Sequence, residues 1–293
     1  MNILSVSAGI ILYKPDTDRL MENINRIYSD IEHIYIYNNG SSDSLLKLLE
    51  AYSKIVILGD GTNIGIASAM NKIMEEAAVR GEKWIVTFDQ DSVSENNLIL
   101  EYKKAVITSD VAILCPQVID ERRKYITPKK SYAIESVTRC ITSASCTKIE
   151  AWEKIGGFDD YLFIDLVDND FCKRLKLQNW KIYRLNNVIL NQEFGDIQLK
   201  NQIMVNIVMK ISDFTKSKLH LSDLAYNIGK LSYKKNVSPV RVYYTNRNVI
   251  YLNKKFKNYG GIGYDCYKCR SYFGFNICFN MASLIRGKEK IRI

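Results

Sequence analysis

Only four prolines and two histidines occur among the 293 residues, and each scarcity removes a class of structure. With so little proline and no low-complexity tract, long disordered linkers are not expected. The two histidines, His33 and His220, leave little for a zinc cage. Cys266-Tyr267-Lys268-Cys269 is a lone CxxC with no second pair, whereas structural zinc usually takes four ligands. No run reaches the roughly 18 uncharged apolar residues expected of a membrane span. Asn2 to Leu12 carries neither a basic segment nor a small-residue cleavage site, so no signal peptide is expected. The seven cysteines are odd in number and scattered, which reads as reduced thiols in a cytoplasmic chain. No internal repeat is visible.

What is present is a globular composition, 47% apolar and 25% charged, in a chain long enough to bury a full core. The net charge of +9 is unevenly placed. From Tyr233 onward, 13 Lys/Arg face only Asp265 and Glu289, so the tail holds +11 and the first 232 residues −2. This asymmetry predicts two parts: residues 1–232, and a basic, aromatic-rich, helical region over 233–293.

Ile3 to Tyr13 reads as a buried strand, and apolar Leu20, Ile24 and Ile27 predict a helix over 16–28. His33 to Tyr37 is a second strand, after which Ser42 or Asp43 can cap a helix carrying Leu45, Leu48 and Leu49. Ile55 to Leu58 is a third, followed by the glycine-rich Gly59–Gly65 loop and a helix over 67–80. A fourth strand ends in Phe88-Asp89-Gln90-Asp91-Ser92. Four βα units in succession predict a parallel, helix-covered sheet, an α/β fold, with every strand-to-helix loop on one edge. Beyond Val111–Leu114 the pattern predicts a hairpin of 117–119 with 124–132. A helix over 148–155, a loop into a helix over 163–178, and two strands at 181–185 and 188–191 follow.

Residues two apart in an extended segment point the same way, so Asp89 and Asp91 aim together beyond a strand end, where α/β sheets bind ligands. Two such charges repel unless a cation lies between them, and a hard divalent ion shared with phosphates is the usual solution. The competing reading is a turn with a helix cap.

Several segments occur in the order they take in family 2 glycosyltransferases of the GT-A fold. They are Asn38-Asn39-Gly40-Ser41, Asn63-Ile64-Gly65-Ile66-Ala67 through Asn71, Phe88-Asp89-Gln90-Asp91-Ser92, Gly156-Gly157-Phe158-Asp159, and Phe163-Ile164-Asp165 through Asp168, Asp170 and Arg174. The chain resembles that family over about residues 5–250, and within it the bacterial rhamnosyltransferases of polysaccharide assembly. The resemblance implies a GT-A nucleotide-binding sheet flanked by helices. It also implies an inverting enzyme that moves a sugar from a dTDP- or UDP-linked donor to a glycan or lipid-linked acceptor, with L-rhamnose from dTDP-rhamnose first and a UDP-hexose as the alternative.

By resemblance, Asp91 ligates Mg²⁺ or Mn²⁺, and Asp89 contacts the ribose or a metal-bound water. Ala8, Gly9, Asn38 and Asp60 hold the nucleotide, with Asn63 and Gln90 beside them. Asn38 replaces an aspartate that receives a pyrimidine N3–H, a bond the amide oxygen can also accept; otherwise Asn38-Asn39-Gly40 is a turn. Asp168 matches the general base, and Asp165 either binds the acceptor or caps the helix. Asp170 and Arg174, four apart, read as an ion pair. A histidine of the family's metal site is replaced by Gln192, next to Glu193.

The tail begins with Pro239 through Tyr243-Tyr244 and Arg247-Asn248, which resembles the family's helix after the catalytic domain, and continues through Lys254, Lys255 and Lys257, the stretch Tyr259–Phe279 and the basic end Arg286–Arg292. Basic residues interleaved with aromatics suit nucleic acid, an anionic membrane surface, or packing on the core. A lipid-linked acceptor favours the membrane, peripherally at its inner face, with no nucleic acid; an oligomer is possible. A nucleotidyltransferase would place a basic glycine-rich loop after the first strand, where Tyr13-Lys14-Pro15-Asp16 stands. An inactive glycan-binding subunit would have lost the carboxylates.

Overall fold

A computed structural model describes residues 5–94, 97–105, 108–123, 125–126, 128, 131–192, 195–236 and 238–262. The Cys266–Cys269 pair, Glu193, the tail's aromatic stretch past residue 262 and its basic end lie outside the described residues. Two compact units are present, Met1–Val118 with Lys129–Leu190, and Ile119–Pro128 with Asn191–Ile293. The expected boundary near residue 232 falls within the second unit.

In the first unit the chain runs β1 (Ser7–Leu12), α1 (Thr17–Ile27), β2 (Ile34–Asn38), α2 (Asp43–Leu49), β3 (Ile55–Leu58), α3 (Ile66–Val79) and β4 (Trp84–Asp89). It continues through β5 (Val93–Ser94), α4 (Leu98–Lys104), β6 (Val111–Ile119), β7 (Ile134–Val137), β8 (Ser145–Lys148), α5 (Ile149–Lys154), α6 (Val167–Leu177) and β9 (Lys181–Asn191). Among the described residues these strands make one nine-stranded sheet, ordered β3-β2-β1-β4-β8-β6-β9-β5, with β7 added on β9. The first four pair in parallel, as four βα units require.

Strand alternation divides the core. Ile10 and Leu12 of β1, Ile34 and Ile36 of β2, and Val86 and Phe88 of β4 share one cluster with Leu20, Ile24 and Ile27 of α1 and Leu45 and Leu49 of α2. Each such side chain withdrawn from water contributes about 1.5–3 kcal/mol. On the other face, a Cβ on Gly9 would lie 2.8 Å from Ile73 Cγ2 of α3, so the strand–helix approach admits only glycine without a shift. The helices begin where their caps stand: Asp16 accepts the Arg19 N–H at 3.0 Å, and Ser42 the Leu45 N–H at 3.4 Å.

Three expectations are corrected beyond β4. Among the described residues no pairing of 117–119 with 124–132 is present; β6 runs on to Ile119, and it is β7 that pairs antiparallel, with β9. Ser145–Lys148, where no strand was expected, is β8, a central strand between β4 and β6. Its Ser145, Cys146 and Thr147 are all buried, so polar residues lie inside the sheet. The two strands at 181–185 and 188–191 are one. Asn186, whose type suggested a break, is buried, accepts the Gln117 Nε2–H at its carbonyl (2.6 Å) and the Arg184 Nε–H at Oδ1 (3.1 Å).

The second unit pairs β10 (Asp196–Leu199) antiparallel with β11 (Tyr233–Asn236) and includes α7 (Gln202–Ser217), α8 (Ser222–Gly229) and α9 (Pro239–Lys255). The helix expected from Pro239 is present, with Pro239 in its first turn and Ser238 accepting the Arg241 N–H at 3.3 Å. No described helix is long and apolar enough to cross a membrane.

Candidate active site

The parallel strands end on one level. Leu12 is paired with Asn38, Ile11 with Asp89 and Tyr37 with Leu58. Asn38, Asp60, Asn63, Asp89, Gln90 and Asp91 therefore gather at the carboxyl edge of the sheet, as their places in the sequence require.

Asp89 is the last residue of β4 and half-buried, whereas Asp91 is exposed. The Asp89 N–H donates to Ser143 Oγ at 3.3 Å, and Ser143 shares a 2.8 Å hydrogen bond with Ser92 Oγ. Arg19 Nε holds the Asp91 carbonyl from the first turn of α1. Gln90 spends its whole amide on β1. Its Oε1 accepts the Tyr13 N–H at 2.7 Å and its Nε2–H donates to the Tyr13 carbonyl at 2.9 Å. The residue expected beside the nucleotide is thus a clamp between two strand ends. Asp-Gln-Asp-Ser does make a turn, with Ser92 N–H donating to the Asp89 carbonyl at 3.0 Å, and that turn leaves both carboxylates at the edge.

Asp168, in the first turn of α6, lies 79 positions from Asp89 in sequence yet feels its charge. Burial, aided by the charges of Asp89 and Asp165, raises the Asp168 carboxyl to about 6 against the opposing Asn169 N–H, which donates to it at 2.9 Å. The fold thus brings three carboxylates together, one of them poised to exchange a proton near neutral pH. Asp165 is not the helix cap. The cap is Leu166, and both Asp165 (φ 65°) and Leu166 (φ 64°) adopt the left-handed conformation, which side-chain-bearing residues rarely take. Two such residues in succession just before a candidate base are strain of the kind that clusters at functional sites.

The strained turn is held from the glycine loop. Gly65 has φ 85°, and a Cβ there would lie 2.6 Å from Phe163 Cδ2 and 2.8 Å from the Phe163 carbonyl oxygen. The adjoining Ile66 N–H donates to that carbonyl at 2.7 Å. Asn63 faces the loop itself: its Oδ1 accepts from Asn39 Nδ2 and from the Gly65 N–H, each at 3.0 Å. Asn71 makes four bonds. Its Oδ1 accepts from Trp152 Nε1 (3.0 Å) and the Phe158 N–H (2.8 Å), and its Nδ2 donates to the Phe158 carbonyl (2.9 Å) and Asp160 Oδ1 (2.8 Å). The Asn63–Asn71 and Gly156–Asp159 segments are therefore scaffolding that sets the turn carrying Asp165 and Asp168. Asp170 and Arg174 form the expected ion pair, at 2.7 Å, but inside the protein, with Asp170 fully buried and Arg174 Nη1 also donating to the Ile155 carbonyl at 2.8 Å.

Other expectations change. Ala8 and Gly9 lie inside β1 rather than at its end, with Ala8 fully buried and Gly9 against Ile73, so packing accounts for both. The residue just past the edge of β1 is Tyr13, where the apolar run breaks at Tyr13-Lys14-Pro15. Asn38 does make the turn, and its oxygen is taken: Oδ1 accepts the N–H groups of Gly40 (3.2 Å) and Ser41 (2.8 Å). What Asn38 retains for a ligand is its Nδ2–H, a donor where an acceptor was expected. Asp60 accepts the Thr62 N–H at 2.9 Å, which with the Thr62 side chain holds its carboxyl below the usual range. A cavity of about 810 Å³ beside β3 and α3 includes Asp60 but none of the three gathered carboxylates. Gln192 follows β9 in the second unit, its N–H donating to the Ile119 carbonyl at 2.9 Å.

Among the described residues no three His, Cys, Asp or Glu side chains form a ready metal cage. Mg²⁺ and Mn²⁺ at phosphates need no cage, only one or two carboxylates beside the diphosphate, and Asp89 with Asp91 at the open edge fit that requirement.

The comparisons agree with this geometry. The model of glycosyl transferase family 2 matches residues 14–172. The chain is 25% identical over 215 residues, 67% of its length and 71% of the other's, to a dTDP-rhamnosyl transferase RfbF of Shigella flexneri. It superposes on GalNAc-T7 with UDP, GalNAc and Mn²⁺ at TM-score 0.56 and 10% identity; 77% of this chain is covered, but only 55% of that one, so it spans about half that protein's length. On TarS 1–349 of S. aureus in complex with UDP-GlcNAc the TM-score is 0.51 at 11% identity, covering 97% and 82% of the two chains. These likenesses speak for the GT-A fold, and the family match spans the strand ends and carboxylates described above. With more than half its length matched, this chain belongs to glycosyl transferase family 2.

Proposed function

We propose that the chain is an inverting glycosyltransferase that moves L-rhamnose from dTDP-rhamnose to a hydroxyl of a lipid-linked or growing cell-surface polysaccharide. The observation that carries this reading is Asp168, a carboxyl raised to about 6 in electrostatic contact with Asp89. A hydroxyl must lose its proton as it attacks, and a carboxylate with a pKa near the working pH is suited to take it. Asp168 takes the proton, the acceptor oxygen bonds to the anomeric carbon, and the bond from that carbon to the diphosphate oxygen breaks as the nucleoside diphosphate leaves. One displacement inverts the centre. Asp165, on the strained turn, orients the acceptor.

Asp89 and Asp91 would hold Mg²⁺ or Mn²⁺, whose charge, when bound, stabilises the departing diphosphate. Asn38 donates its Nδ2–H to a carbonyl oxygen of the pyrimidine, with Asp60 beside it. The dTDP-rhamnosyl transferase relative supports the donor assigned here. The enzyme works at the inner face of the cell membrane, where a lipid-linked acceptor is anchored, with the basic end of the chain on the anionic leaflet.

Hydrolysis and transfer measured over a panel of dTDP- and UDP-sugars, with and without Mg²⁺ or Mn²⁺, test this reading. dTDP-rhamnose should be turned over fastest and only with the ion, and Asp91→Ala should lose ion-dependent donor binding in calorimetry. Preference for a UDP-hexose would replace the donor, and unchanged donor affinity in Asp91→Ala would remove the metal role.

A further inference from the structure

Helix α7 is built inside out. Its buried positions are Val205, Val208, Ser212 and Thr215, two of them hydroxyl-bearing. Ser212 Oγ must find the Ala225 carbonyl at 2.8 Å, and Thr215 Oγ1 the Ile211 carbonyl at 2.7 Å. The more apolar face is the one turned to solvent: Ile203, Ile207, Ile211 and Phe214 are 72%, 48%, 49% and 58% exposed. Their spacing of four, four and three places them in one stripe along the helix. An apolar stripe on a helix is normally the buried one, and a contiguous exposed patch of this kind marks an interaction surface.

Charge selects the occupant. Lys210 adjoins the stripe on the helical wheel, Lys218 follows at its carboxyl end on the same side, and Lys200 precedes it. The residues of the second unit number 21 Lys/Arg against 8 Asp/Glu. A second copy of this unit would bring like charge against like, and so would the chain's own residues 263–293, with six Lys/Arg against two acids. An anionic bilayer satisfies both features, because an interfacial helix sinks its apolar stripe below the headgroups while flanking lysines meet the phosphates.

We infer that the outer face of α7 is a lipid-docking surface for an anionic bilayer. The inference deepens the proposed placement of the enzyme at a membrane and assigns that contact to a helix outside the basic tail. The test is co-sedimentation of the full chain with phosphatidylglycerol/phosphatidylethanolamine vesicles and with phosphatidylcholine vesicles, with no donor present. Ile207→Glu/Phe214→Glu should bind the anionic vesicles at least tenfold more weakly, and Lys210→Gln/Lys218→Gln should bind them several-fold more weakly per charge removed. Both changes lie on exposed positions, so thermal unfolding and hydrolysis of soluble donor should match the parent chain. Parent-like binding by the Glu pair would assign lipid contact to the tail and overturn the inference. So would equal binding to phosphatidylcholine, or a sedimentation dimer that the Glu pair dissociates. Loss of the glycosyl-transfer reading would show in donor hydrolysis and leave the vesicle result standing.

Discussion

Asp168 is where burial, charge and chemistry meet in one side chain. Its carboxyl is raised to about 6, chiefly by burial, so the folded protein holds that proton more tightly than the unfolded chain does. The stability this contributes is present in full below the unfolded carboxylate range and is lost as pH rises through about 6. With Asp168 as the proposed base, activity has the opposite slope, because the base must be deprotonated; kcat/KM should climb through that same pH. Asp168→Asn is therefore expected to lose about 10²–10⁴-fold in kcat while keeping donor affinity, and to raise the melting temperature at pH 8 but not at pH 4. Stopped assays and thermal scans at the two pH values check both halves; near-normal turnover would move the base to Asp165. These carboxylates could be singled out in the sequence by their places at a strand end and a helix start, although Asp also serves turns and caps there. Ala8 and Gly9 could not, since a small residue needed for packing and one needed for a ligand look alike in sequence. Nor does sequence show which amide atom is spent, as with the Asn38 oxygen held by Gly40 and Ser41.

Among the elements, α6 depends on contacts made far from it in sequence. Its entry turn leans on Gly65 through Phe163, and its first turns are tied down by the buried Asp170–Arg174 pair. Removing one member of a buried pair strands the other's charge, at a cost of about 3–5 kcal/mol. Arg174→Ala should show a loss of that order in urea unfolding, well above the few tenths of a kcal/mol of an exposed pair at the same spacing. A loss below 1 kcal/mol would mean that solvent reaches Asp170 readily. The i,i+4 spacing was readable; the burial that sets its weight was not. The four parallel units were legible for a related reason: each has an apolar run and then a break in local order, and the first two add a helix cap at Asp16 and Ser42. β8 escaped because three of its four residues are polar or charged and its partners, β4 and β6, lie far away in the chain. The unbroken β9 escaped because its asparagines find partners that the local sequence does not show, Gln117 of β6 on the Asn186 carbonyl and Glu101 of α4 on Asn187 Nδ2.

At the scale of the molecule, the proposed docking has charge and apolar surface divide the work of meeting a membrane. Screened attraction between basic residues and an anionic leaflet is worth about 1 kcal/mol per side chain and fades with salt, whereas burial of an apolar stripe does not. The chain carries both kinds of contact: the basic end Arg286–Arg292 in sequence, and the exposed isoleucines of α7 in the fold. Binding of the full chain to anionic vesicles should therefore fall as KCl is raised, then level off above zero. Replacing Arg286, Lys288, Lys290 and Arg292 by Gln should lower the low-salt arm and leave the plateau. Ile207→Glu/Phe214→Glu should do the reverse, removing the plateau while a salt-sensitive remainder persists. Co-sedimentation across a KCl series separates the two. A curve that falls to zero in the parent chain would leave charge as the whole attachment, and a curve indifferent to salt would mean that the basic end never meets the lipid.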